Sequence, residues 1–259
     1  DHDFPGAVTC CGINNRGVAL IDNKVVSHTL DGRLIVTNKE SGEIEQEVQL
    51  ADASIAEVIT AAPLVVKNSA ITGVAGAEYG IRGWLHSTNL ADGSKNWRTY
   101  TIPAPDEPGG DTWKQGPESH SKDAWMHGGG STWVVGSYDP DLNVIYWGVG
   151  NPGPDWDNEY RPGDNLYSNS VLALDADSGK IKWYFQYTPN DPYDFDGVNE
   201  QTLVDAKIFG KQTKAVLHAD RNGFAYALDR ESGKFLWGTP FVKKLDWTAG
   251  LDKYTGRPL

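Results

Sequence analysis

The feature that most constrains the fold is a repeat. Four segments share one pattern of strand, short polar turn closed by glycine, and second strand: residues 31–46 through Gly42, 85–97 through Gly93, 171–183 through Gly179 and 225–237 through Gly233. Apolar runs joined by a tight Gly-ended turn are hairpins. The turn glycines stand 51, 86 and 54 residues apart. A period near fifty residues with four short strands per unit is that of a β-propeller blade, so the expectation is an all-β chain of propeller blades. Trp97, Trp183 and Trp237 each follow their glycine by four residues. A flat ring at a fixed place in successive blades suits packing between neighbouring sheets. Gln46 takes that place in the first repeat, as expected of a boundary blade.

The long middle interval calls for an insertion. Composition locates it at about residues 101–130, rich in Pro, Gly, Asp and Trp and without strand periodicity. A long connection of this kind inside a compact repeat is more often functional than idle. Ten Trp, eleven Tyr, 29 Gly and 14 Pro against a single Met agree with short strands and many turns. Four repeats cannot close a ring of more than four blades. With no initiator Met and no signal peptide before Asp1, the chain is expected to be a piece of something longer.

The net charge of −12 argues against nucleic acid and anionic membrane surfaces, which attract basic patches. No apolar run approaches the roughly 20 residues of a membrane span.

Several stretches break the repeat. The densest is residues 190–200, where Asp191, Asp194, Asp196 and Glu200 crowd together without a Lys or Arg. Like charges so close need water, a proton or a cation to relieve them, and a hard cation with oxygen ligands does so economically. In extended backbone Asp194 and Asp196 would point to one side, presenting two carboxylates to one ion. An acidic surface turn, signalled by Asn190-Asp191-Pro192, is the plainer reading. Elsewhere Glu78 stands alone among small residues, Ser131 and Trp133 follow a run of three glycines, Asn151 sits in a Gly/Pro turn, and Arg221 precedes a strand. Each has a structural alternative. Together they supply carboxylates, a carboxamide, a flat ring and a guanidinium, which is the inventory for a hard metal ion and a planar anionic cofactor. Cys10 and Cys11 are adjacent; Cα atoms about 3.8 Å apart lie below the usual disulfide range, so both free thiols and a strained ring remain open.

These motifs, in this order over nearly the whole chain, resemble the pyrroloquinoline quinone (PQQ) dependent methanol/ethanol dehydrogenases, quinoproteins built on an eight-bladed propeller, of which four to five blades would be present here. The resemblance implies a PQQ-binding set: a Cys10–Cys11 ring disulfide over one face of the quinone and Trp133 beneath the other. Arg16, Thr60, Ser131 and Arg221 would bond its polar edge, with Gly76 and Ala77 alongside. It implies a metal site of Glu78, Asn151, Asp194 and Asp196, with Asp194 and Arg221 catalytic, Asp194 as base. Asp196, two residues beyond that base, resembles the lanthanide-dependent type; calcium enzymes usually carry a small residue there. A trivalent ion rewards the extra carboxylate. Ala75 stands where many relatives have Ser, Gly12 replaces an acidic residue, and Phe195 replaces Tyr; none removes a metal ligand.

The implied activity is oxidation of a small primary alcohol to its aldehyde in the periplasm, with electrons passing to a cytochrome c-type acceptor and a homodimer among the assemblies allowed. Two rivals stand beside it. One is a calcium-dependent PQQ dehydrogenase of a larger alcohol or polyol. The other is a non-catalytic propeller scaffold, which needs the Gly-x-x-x-Trp repeats but has no use for adjacent cysteines or for Glu78, Asn151 and Asp194.

Overall fold

A computed structural model describes residues 9, 10, 12–117 and 119–259. Among the described residues, sixteen strands form four antiparallel sheets of four, each a meander in sequence order. The first sheet holds β1 (Ala19–Ile21), β2 (Lys24–His28), β3 (Arg33–Asn38) and β4 (Ile44–Gln49), and the second β5 (Leu64–Val66), β6 (Ser69–Gly73), β7 (Trp84–Asn89) and β8 (Lys95–Tyr100). The third holds β9 (Ser137–Asp139), β10 (Val144–Val149), β11 (Ser170–Asp175) and β12 (Ile181–Gln186), and the fourth β13 (Thr202–Ile208), β14 (Lys211–Ala219), β15 (Phe224–Asp229) and β16 (Phe235–Pro240). These are four propeller blades.

The repeat seen in the sequence is the hairpin between the third and fourth strands of each blade. In all four, the glycine N–H donates to the carbonyl of Asn38, Asn89, Asp175 or Asp229 at 2.8–2.9 Å. That Asn or Asp turns its side-chain oxygen onto backbone N–H groups of its own turn, as Asx turns do. The same register shift follows in every blade, at Val36/Thr37, Ser87/Thr88, Ala173/Leu174 and Ala227/Leu228. A fifth turn of this kind, Asp252 to Gly256, follows β16.

Two of these glycines, Gly179 and Gly233, are required by the neighbouring blade. A Cβ on Gly179 would stand 2.5 Å from the Trp97 ring, and one on Gly233 would stand 2.5 Å from the Trp183 ring. The indole of one blade therefore lies flat on the turn glycine of the next, and Trp97 fixes its own angle by donating from Nε1 to Ala176 O at 3.1 Å. Where Gln46 replaces the indole, Gly93 of the second blade meets only the ends of Gln46 and Val48.

The core lies between the blades. Along β10, Val144 and Tyr146 pack toward the fourth sheet with Val171, Val216 and Leu228, while Ile145, Trp147 and Val149 pack toward the second with Ile71, Leu85 and Leu172. Side chains alternate between the faces of a strand, so a sheet covered on both faces reads as the unbroken apolar run Val144–Val149. Each such fully buried aliphatic side chain contributes about 1.5–3 kcal/mol.

Successive connections of a meander alternate between its ends. All four repeat glycines fall at one end. At the other lie the β2–β3, β6–β7, β10–β11 and β14–β15 loops and the passages from blade to blade. Two of these are long. Residues 101–136 carry two 3-10 segments, Gly110–Thr112 and Ser119–His127, and residues 150–169 form a second excursion that packs on the first through Lys114 N–H to Pro162 O and Tyr167 OH to Pro108 O, both at 2.9 Å.

Candidate active site

A cavity of about 190 Å³ opens at the loop-bearing end. The sequence-expected residues Cys10, Arg16, Thr60, Gly76, Glu78, Ser131, Trp133, Asp194, Asp196 and Arg221 all line it. They come from every blade: Thr60 from the β4–β5 passage, Gly76 and Glu78 from the β6–β7 loop, Ser131 and Trp133 from β8–β9, the aspartates from β12–β13 and Arg221 from β14–β15. Asn151 and Ala77 do not face the cavity directly. Asn151 is buried just beyond β10, and Ala77 is buried in the 3-10 turn that carries Glu78. Cys11 lies outside the described residues, and with it the Cys10–Cys11 pairing.

Asp194 and Asp196 come together, but not by the extended alternation expected from the sequence. Both have left-handed backbone, with φ of +59° and +63°. For a side chain larger than glycine's this costs of order 1–2 kcal/mol per residue. Asp191 holds the loop in that shape: its carboxylate accepts the N–H groups of Tyr193 at 2.8 Å and Phe195 at 2.7 Å, and the Asn169 amide at 2.7 Å. Arg221 then meets both aspartates, Nη1 donating to Asp196 Oδ2 at 2.6 Å and Nη2 standing 3.5 Å from Asp194 Oδ2. Its chain neighbour Asp220 is bound instead to His218 at 2.9 Å.

Asp196 is buried, and its Oδ1 accepts the backbone N–H of Asn151 at 2.9 Å. Room for it depends on Gly150, where a Cβ would stand 2.6 Å from that oxygen. Burial pushes the Asp196 carboxyl up to about 7; Asp194 adds to the rise, while the Asn151 N–H and Arg221 oppose it. Asp194 is raised as well, by burial first and then by Asp191 and Glu78 against the pull of Arg221. Asp155, which the sequence reading passed over, is raised to about 6 by burial, Asp194 and Glu78. It accepts the Asn151 side-chain N–H at 2.6 Å, which turns the Asn151 amide oxygen away from it.

The pocket fits a planar anionic group beside a cation. Two guanidiniums, Arg16 and Arg221, and three carboxylates, Glu78, Asp194 and Asp196, line it. Trp133 offers a flat ring, with the Arg16 guanidinium carbon 4.7 Å from its centroid. Thr60 Oγ1 is buried on the lining without a hydrogen-bond partner, a donor and acceptor available to a ligand's polar edge. Beside burial, Glu78 raises the proton affinity of Asp194, and Asp194 that of Asp196, as anions do where a positive charge is wanted. Among the described residues no three His, Cys, Asp or Glu side chains close on a single point; Asp194 and Asp196 are turned to Arg221 instead, so an ion would share them with the guanidinium.

Comparison with known proteins agrees with this architecture. The family model for the PQQ glucose/ethanol/alcohol dehydrogenase β-propeller domain matches residues 7–242. The quinoprotein alcohol dehydrogenase PedH of Pseudomonas putida KT2440 is 45% identical over 263 residues, covering 96% of this chain and 43% of that protein. The lanthanide-dependent methanol dehydrogenase of Methylacidiphilum fumariolicum SolV is 40% identical over 266 residues, covering 98% of this chain and 43% of its own length. Among solved structures, a europium-containing methanol dehydrogenase superposes with a TM-score of 0.91 at 37% identity, over 98% of this chain and 46% of that one. The chain thus spans less than half the length of these relatives. With blades, turns and cavity loops all accounted for by that match, the chain belongs to the PQQ-dependent glucose/ethanol/alcohol dehydrogenase β-propeller family.

Proposed function

We propose that the protein containing this chain oxidises a small primary alcohol to its aldehyde with PQQ and a lanthanide ion. The observation that carries the reading is Asp196: a buried carboxylate, two residues beyond Asp194 and bonded to both Asn151 and Arg221, where its charge is costly unless a strong cation offsets it. When bound, PQQ supplies a two-electron acceptor and the ion a Lewis acid. The chain's own residues hold, orient and deprotonate. Trp133 gives the flat surface; Arg16, Thr60 and Ser131 meet the polar edge; Glu78, Asn151, Asp194 and Asp196 hold the ion. Asp194, half-buried and raised in proton affinity, accepts the alcohol's hydroxyl proton. Arg221 keeps Asp194 and Asp196 in place and offers positive charge where negative charge develops.

Reconstitution of the full-length protein with PQQ and either calcium or a light lanthanide tests this. Turnover is expected with the lanthanide, and Asp196→Ala should abolish it selectively. Calcium activity that lanthanide does not raise, or equal loss with both ions in the variant, would overturn the metal assignment. A Cys10–Cys11 ring disulfide, a periplasmic location and a cytochrome c-type acceptor belong to the same proposal. Thiol labelling before and after reduction tests the first, cell fractionation the second, and reduction of a co-purifying cytochrome on addition of alcohol the third.

A further inference from the structure

Arg161 is fully buried and lies outside the cavity lining. Its guanidinium spans the two loops that carry the proposed ion ligands. Nε donates to Pro154 O at 2.9 Å, and Nη2 donates to Asp155 O at 3.0 Å and to Asp191 O at 2.7 Å. Pro154 and Asp155 belong to the turn that begins at Asn151; Asp191 opens the loop that carries Asp194 and Asp196. Nη1 is braced by Asn165 Oδ1 at 2.9 Å, and Asn165 returns a bond from Nδ2 to Arg161 O at 2.8 Å. Asn190, from the acidic loop, closes the set by donating to Asn165 Oδ1 at 3.0 Å and to Arg161 O at 3.1 Å.

Burying a guanidinium against neutral carbonyls is expensive, and packing alone does not call for it. Its planar fork can fix the distance between two separate stretches of backbone, which a flexible ammonium on a longer stem cannot. We infer that Arg161 is a positioning residue that staples the Asn151 turn to the Asp194–Asp196 loop and so sets the spacing of the ion's ligands. The inference rests on the metal reading proposed above. With the staple in place the ligand cage has a fixed size and discriminates ions by radius. Without it the loops adjust to whichever ion arrives.

The test is a luminescence titration of metal-free full-length protein with europium(III), followed by displacement with lanthanum(III) and lutetium(III). Arg161→Met should weaken europium binding by about 10–100-fold, the usual loss when a residue supporting the ligands is removed, and flatten the preference between lanthanum and lutetium. Asn165→Ala, which keeps the bonds to both loops, should give a smaller change in the same direction. Arg230→Met is the structural control: this buried residue pairs with Asp139 at 2.9 Å and Asp205 at 2.6 Å, and its loss should lower the melting temperature without moving ion affinity. A folded Arg161→Met protein with unchanged affinity and unchanged size preference overturns the inference. Should that variant not fold, Arg161→Lys and Asn165→Ala decide it by the same criterion. Failure of the unsubstituted protein to bind europium would overturn the ion reading itself, and the staple with it.

Discussion

The turn glycines permit a controlled test of how one blade is seated on the next. Gly93, Gly179 and Gly233 occupy the same turn with φ of +76°, +69° and +73°. Replacement by Ala costs each site about 1–2 kcal/mol for left-handed backbone. What differs is the neighbour. A Cβ at Gly179 or Gly233 falls 2.5 Å from an indole carbon, whereas at Gly93 it falls 3.0 Å from Val48 Cγ2 and 3.2 Å from Gln46 Nε2. Trp97 cannot swing away freely, being buried and bonded to Ala176 O, so overpacking adds a further 1–3 kcal/mol or so at the two indole sites. Gly179→Ala and Gly233→Ala should therefore destabilise by about 2–5 kcal/mol in all, and Gly93→Ala by only the backbone share of about 1–2 kcal/mol. Denaturant unfolding followed by tryptophan fluorescence, with all three variants in one background, measures the difference. Trp97→Leu should rescue Gly179→Ala with a coupling energy of roughly 1 kcal/mol or more. Equal losses at the three glycines, or additivity in the double variant, would refute the argument that the indole dictates the glycine.

Two further outcomes are expected. His28 is buried between the first two blades, bonded to Ala61 O and Thr72 Oγ1 at 2.9 Å, and burial lowers its pKa from 6.5 to about 4. The unfolded chain then binds the extra proton between those values, so this contribution is complete above pH 6.5 and is lost as pH falls toward 4, by at most about 3 kcal/mol. His28→Gln should flatten the acid limb of a stability-against-pH curve, and an unchanged slope would count against it. Asp191→Ala removes the acceptor for two N–H groups and one amide, each bond worth about 1 kcal/mol; turnover should fall more than tenfold and the melting temperature by several degrees, while Asp191→Asn, keeping one acceptor, should lose less of both.

The fold was legible because its grammar is local. A Gly-ended Asx turn followed four residues later by Trp recurs wherever the same hairpin recurs, and the run Val144–Val149 announces a sheet covered on both faces. The site was legible as residue types on loops that break the pattern. Its geometry was not. Nothing in the order of Asp194 and Asp196 signals left-handed backbone, because that conformation is imposed by Asp191 from within the loop and by Asn169 from another strand's start. Arg161 and Asp155 carried no signal either: Arg161 acts on backbone carbonyls, which every residue possesses, and Asp155 acts through an amide whose partner depends on tertiary placement. The second excursion, 150–169, hid for a similar reason, since its contacts are with the first.

The indole–glycine joints and the cavity loops sit at opposite ends of the blades, which makes each blade a lever. A six-residue strand such as β11 is about 20 Å long at ~3.3 Å per residue. A splay of roughly 3° at the joint thus moves the loops at the far end by about 1 Å, and a displacement of that size can cost about a hundredfold in rate. The tolerance of the cavity loops is accordingly set at the joints, and a methyl group added beneath Trp97 should be felt at Asp194.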